Sequence, residues 1–186
     1  MKNLFFSLFV FISFTTAQTL IQTVPLPSTA FYNSGYGLVH VNGKYWISSG
    51  STSAYGLIYA VNSSGVQIDQ LSINYPTMRA SQGLAYDGTD FWYIERKTSR
   101  CDIFKVTTTG IVIDSIPTAE LFGTISVNFY IGGAAWDGSG LWISVYSPDT
   151  SAALYKINVA ARAIVDTISV VGLQPTGVTI KGDTLI

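Results

Sequence analysis

One segment occurs three times along this chain and begins a fourth time. Gly37-Leu-Val-His-Val-Asn-Gly-Lys-Tyr-Trp46 recurs as Gly83-Leu-Ala-Tyr-Asp-Gly-Thr-Asp-Phe-Trp92 and as Gly133-Ala-Ala-Trp-Asp-Gly-Ser-Gly-Leu-Trp142, and Gly177-Val-Thr-Ile-Lys-Gly-Asp-Thr-Leu185 opens another copy. The glycines are spaced 46, 50 and 44 residues apart, and each tryptophan follows its glycine by nine. The second half of the unit also repeats: Leu57-Ile-Tyr-Ala-Val-Asn62 matches Asp102-Ile-Phe-Lys-Val-Thr107 and Ala153-Leu-Tyr-Lys-Ile-Asn. Then come Val66-Gln-Ile-Asp69, Ile111-Val-Ile-Asp114 and Ala163-Ile-Val-Asp166. Each unit holds four short apolar or alternating runs bounded by Gly, Asn, Asp or Ser, as strands are. No run sustains a 3.6-residue period, so no helix is expected in the mature chain.

Four strands, here named a to d, in roughly 40–50 residues make one propeller blade. The expected fold is all-β, a β-propeller of four-stranded antiparallel blades, truncated to three blades and the start of a fourth. Blade 1 is expected over 37–82, blade 2 over 83–132, blade 3 over 133–176, and the start of blade 4 over 177–186. Residues 18–36 supply a lead-in whose Leu20-Ile-Gln-Thr-Val-Pro25 reads like a lone d strand, able to complete a last blade and close a ring. Asn42-Gly43, Asp87-Gly88 and Asp137-Gly138 mark tight a–b turns, with glycine supplying the positive φ. The strand-b tryptophans are expected between stacked blades, and the opening glycines where backbones approach closely near the axis.

Residues 1–17 have the pattern of a secretory signal: Lys2, then the apolar run Leu4–Phe14, then Thr15-Thr16-Ala17 as a small-residue cleavage site. The run is too short to span a bilayer comfortably, so a secreted or extracytoplasmic chain with no transmembrane segment after cleavage is expected. The net charge is −1 and no basic patch is present in the mature part, which argues against nucleic acid or an anionic membrane as partner. Cys101 is the one cysteine, so there is no internal disulfide framework.

The b–c connections (Ser48–Gly56, Glu95–Arg100, Val145–Ser151) and the d–a connections (Ser72–Gln82, Pro117–Gly132, Val170–Thr176) are long, whereas the a–b and c–d turns are short. In an antiparallel blade the two long classes emerge on the same side, and binding on a rigid scaffold uses such loops. The ligand-binding candidates on that face are Tyr55, Arg79, Glu95, Arg96, Arg100, Tyr146 and Asp149, with Met78, Lys97 and Tyr130 beside them. Glu95-Arg96-Lys97 with Arg100 is the densest charge cluster of the mature chain, and the tyrosines offer faces for a sugar or peptide. No catalytic set is visible. His40 is the only histidine and aligns with Tyr86 and Trp136, as a packed strand residue would. With no His cluster and one Cys there is no zinc site, and the Asp-Gly turns lack the spacing of a calcium loop.

The motif G-[LV]-x-x-[DN]-G-x-x-[FYL]-W-x-[IS], followed by [IL]-[YF]-x-[VI]-[NTD], resembles the blades of secreted bacterial propellers of the NHL and YVTN type. More distantly it resembles the superfamily that includes bacterial glutaminyl cyclotransferases. The resemblance covers residues 37–186 and implies a fold more than a function. The cyclotransferase pattern implies a catalytic glutamate just after strand b of the first blade. Residues 30–71 are similar in layout, but Ser48 or Ser49 stands at that place, and the neighbours of Glu95 in the second unit differ from the family's. The resulting expectation is a non-enzymatic binding or scaffold propeller, with no cofactor, holding an extracellular glycan, peptide or protein on the long-loop face. The alternative is a propeller hydrolase, lyase or lactonase with a calcium or zinc ion in its channel, its acids partly in blades beyond this chain.

Overall fold

The computed structural model describes residues 23, 35–49, 56–75, 78, 80–95, 102–123, 130–147, 150–170, 175–182 and 184–186. The signal segment, nearly all of the lead-in and Cys101 lie outside them. Three four-stranded antiparallel sheets and one two-stranded hairpin make up the structure. Blade 1 is β1 (Gly35–Val41), β2 (Lys44–Ser49), β3 (Leu57–Val61) and β4 (Gln67–Ser72). Blade 2 is β5 (Ser81–Tyr86), β6 (Phe91–Glu95), β7 (Asp102–Val106) and β8 (Val112–Pro117). After the one-turn helix α1 (Thr118–Phe122), blade 3 is β9 (Tyr130–Trp136), β10 (Leu141–Ser147), β11 (Thr150–Asn158) and β12 (Ala163–Val170). β13 (Ile180–Lys181) pairs with β14 (Thr184–Leu185) in the fourth unit. The fold is all-β and propeller-like.

Two expectations are corrected. The helix α1 sits in the second d–a connection, where five residues are too few to display a helical period. Its last turn closes on Gly123, at φ 70°, whose N–H donates to the Ala119 carbonyl. The third b–c connection is also not long. β10 and β11 continue as a ladder to the pair Ser147↔Thr150, leaving two residues between the strands.

The period of two along each strand divides the core between two seams. On β6, Phe91 and Tyr93 face blade 1 and join Val41, Trp46, Ile58, Ala60 and Leu71. Trp92 and Ile94 face the other way and join Ile131, Leu141, Ile143, Val145 and Ile157 of blade 3. Trp46 meets Phe91 with ring centroids 5.3 Å apart. Trp46, Trp92 and Trp142 are all buried, and Trp46 and Trp92 pack in the two seams between blades.

The innermost strands touch backbone to backbone. A Cβ added to Gly37 would lie 2.3 Å from the Leu84 nitrogen. One on Gly83 would lie 3.1 Å from the Ala134 nitrogen, and one on Gly133 would lie 2.8 Å from the Gly177 Cα. The repeated glycine thus lets each inner strand sit against the next.

The outermost strands carry a recurring device. Asp69, Asp114 and Asp166 hold the same place in β4, β8 and β12. Each accepts, through Oδ1, the backbone N–H of the residue after it: Gln70 (2.9 Å), Ser115 (2.8 Å) and Thr167 (2.7 Å). That donor is satisfied within its own strand and is not offered to another chain.

Candidate functional site

The two ends of the blades differ in how they are held. At the short-turn end, side chains close the connections. Asn42 and Gly43 both have positive φ, at 51° and 76°, which is the two-residue hairpin expected. The Asp-Gly turns are four residues long, with Asp87 N–H donating to the Asp90 carbonyl and Asp137 N–H to the Gly140 carbonyl. Asp87 Oδ1 accepts the amides of Thr89 and Asp90, and its Oδ2 accepts Trp92 Nε1–H at 3.1 Å and pairs with Lys105 at 2.9 Å. Asp137 repeats the arrangement: Trp142 Nε1–H donates to Oδ2 at 2.8 Å, and Lys156 pairs with it at 2.5 Å. Each lysine also lies over its tryptophan, 5.5 and 5.9 Å from the ring centroid. These Asp–Trp–Lys clasps go beyond the plain hairpin turns expected there. Their signal was present in the sequence. Lysine stands on strand c opposite the tryptophan only in the two units whose turn begins with Asp, and blade 1 has Asn42 and Ala60 instead.

Burial pushes the Asp87 and Asp137 carboxyls up. The hydrogen bonds from turn amides and lysine, with that from Trp142 to Asp137, outweigh it and hold both below the usual range. A folded-state pKa below the unfolded one, ~3.9, contributes stability that is fully present above the unfolded value and is lost as pH falls through the folded one. The thermal midpoint should therefore be level from about pH 7 to 5 and fall below about pH 4. Asp137→Asn should flatten part of that fall, measured by circular dichroism melts across the range.

The opposite end holds the long connections. Tyr55, Arg79, Arg96, Arg100 and Asp149 lie outside the described residues, as does Lys97. Glu95 is not on a solvent-facing loop: it is the last residue of β6, 0% exposed, because the odd positions of this strand face the blade 1 seam. Ser48, Ser49, Ser81 and Tyr93 are equally buried. Ser48 Oγ accepts the Gly37 N–H at 3.1 Å, and Ser81 Oγ–H donates to the Gly83 carbonyl at 3.0 Å. Burial pushes the Tyr93 hydroxyl up, and the nearby Glu95 carboxylate acts in the same direction. The phenol stays neutral, bonded to the Gly56 backbone and the Ser81 hydroxyl. This polar group ties the strand ends of blades 1 and 2 to the start of β3. Its members are wholly buried, and Ser48 and Ser49 end β2 within it.

Met78 is buried as well. Among the candidates that are described, Tyr146 reaches the surface, as does Tyr130 beside it. It lies opposite Tyr130 across β9 and β10, the rings stacked at 5.1 Å and 16°, both half-buried. His40 is a strand residue as expected, but it is exposed, not packed. Among the described residues, no three His, Cys, Asp or Glu side chains are placed to hold a metal ion. Among the same residues, no helix is long and apolar enough to cross a membrane.

No family model and no curated protein matches the chain. Among solved structures, hydrazine synthase of Kuenenia stuttgartiensis is similar at a TM-score of 0.54 and 14% identity, over 94% of this chain and 44% of that one. The RRP9 WD40 repeats (TM-score 0.48, 15% identity, 78% and 42% covered) and the glutaminyl cyclase of Myxococcus xanthus (0.41, 13%, 89% and 87%) are too distant to carry an argument. The chain thus spans less than half of the hydrazine synthase chain it matches, and a likeness at this identity speaks to the fold alone.

Proposed function

We propose that this chain belongs to an extracytoplasmic binding or scaffold propeller of NHL- or YVTN-like type, exported by residues 1–17. It holds an extracellular glycan, peptide or protein on the long-connection face. The stacked Tyr130–Tyr146 pair carries the reading. Two half-buried aromatic rings at the edge of a rigid sheet offer contact area with little entropy left to lose. The opposite end, by contrast, has its turns closed by their own side chains. The charged loop residues Arg79, Arg96, Arg100 and Asp149, with Tyr55, belong to the same proposed surface.

Glycan and peptide arrays probed with the mature chain test this. One ligand class should bind, and Tyr146→Ala should weaken it about 10-fold, equivalent to ~1.4 kcal/mol. Lys44→Ala, at the far end of its blade, should leave it unchanged. Silence on both arrays, or the absence of any ligand whose binding Tyr146→Ala weakens, would overturn the reading. Export is checked separately: N-terminal sequencing of secreted protein should begin at Gln18.

A further inference from the structure

In the three full units the inner strand places an aromatic ring three residues after the repeated glycine: His40 in blade 1, Tyr86 in blade 2 and Trp136 in blade 3, with Ile180 at that place in the fourth. All three line one cavity of about 390 Å³ toward the short-turn end of the inner strands, together with Tyr45, Leu38 and Thr179. This is the end opposite the Tyr130–Tyr146 pair. The volume lies within the range of small-ligand sites, roughly 300–1,000 Å³.

The walls define what would fit. Among the described residues, no Asp, Glu, Lys or Arg side chain lines the cavity. In blades 2 and 3 the acids that follow the lining rings, Asp87 and Asp137, are paired with Lys105 and Lys156 in the clasps. A charged ligand would therefore enter without a partner and lose its hydration. Two of these rings have aromatic neighbours: His40 lies 4.9 Å from the Tyr45 ring, itself part of the wall, and Tyr86 lies 5.3 Å from the buried Phe91. The same lining residues carry polar groups, namely the His40 imidazole, the Tyr45 and Tyr86 hydroxyls and the Thr179 hydroxyl. A flat apolar ring would leave these four groups unmatched. A pyranose presents a C–H face to an aromatic ring and hydroxyls around its edge, which satisfies both kinds of wall.

We propose that this cavity is a second binding site, for a neutral sugar ring, distinct from the long-connection face and independent of it.

The test is calorimetric titration of the mature chain with cellotetraose, maltotetraose and chitotetraose, with tetragalacturonate as the anionic and indole as the apolar comparison, followed in parallel by tryptophan fluorescence. At least one neutral tetrasaccharide should bind and alter the fluorescence. His40→Ala, at an exposed position, and Tyr86→Phe, which keeps the ring and removes the hydroxyl, should each weaken it by several-fold, and together by 10-fold or more, with unchanged melting curves. Trp136→Phe should abolish the fluorescence change while calorimetric binding persists at reduced affinity. In the Tyr146→Ala protein, the sugar binding that His40→Ala and Tyr86→Phe weaken should persist. The proposal fails if no neutral tetrasaccharide binds, if indole or the anionic sugar binds better, or if the His40 and Tyr86 variants bind as the parent does. It fails equally if Tyr146→Ala abolishes sugar binding, since the sugar then sits on the other face.

Discussion

Gly37→Ala is expected to lower the thermal midpoint by on the order of 10 °C. The added carbon would lie 2.3 Å from the Leu84 nitrogen, 2.6 Å from the Leu84 Cβ and 2.7 Å from the Gly83 carbonyl carbon. Two of these three atoms are backbone, so no rotamer change relieves the clash, and the first two blades must separate. Overpacking of this kind costs ~3 kcal/mol, and a chain of this size loses roughly 2–4 °C per kcal/mol. The repeat supplies its own controls. Gly133→Ala (2.8 Å to the Gly177 Cα) should cost less, Gly83→Ala (3.1 Å) less again, and Gly177→Ala, with nothing within 4 Å, should be nearly silent. Melts of the four variants should follow that order. A Gly37→Ala protein as stable as the parent, or Gly177→Ala as damaging as Gly37→Ala, would show that the inner strands are not in contact as described.

Trp92→Ala is expected to destabilise by about 4 kcal/mol, within the range for deleting a fully buried aromatic side chain. Trp92 is 1% exposed and packs in the seam between blades 2 and 3. Its loss leaves a void there and also takes the indole donor from Asp87. Trp92→Phe separates the two contributions. It retains most of the packing and removes the hydrogen bond, so it should cost on the order of 1–1.5 kcal/mol. Denaturant melts of both variants measure the difference. Equal costs for the two substitutions would mean that the clasp, and not the packing, makes Trp92 matter.

The fold was readable because it is written three times. Any one of these strands is a short apolar run that proves little alone, but the recurrence of glycine, turn and tryptophan at matched spacing leaves few other arrangements. Gly37 and Gly83 behave as the repeat implies, and Trp46 and Trp92 are buried where it puts them. What escaped was set by contacts between elements. Glu95 looked like part of a charged loop because Arg96 and Lys97 follow it. Its burial depends on strand parity and on the neighbouring blade, which local charge does not report. The ladder extending to Ser147 and Thr150 was hidden because Ser147-Pro148-Asp149-Thr150 has the composition of a loop. The clasps were visible only as a correlation between a turn aspartate and a lysine two strands away, and they become meaningful once the register Trp92↔Lys105 is known.

The aspartate that occupies its own strand's next amide on the three described outer edges has a consequence for how such a molecule can change. Because the guard against stray pairing is carried inside each unit, copying or deleting one unit copies or deletes its guard as well. The number of units can therefore drift over generations without any intermediate form acquiring an unguarded perimeter at these positions.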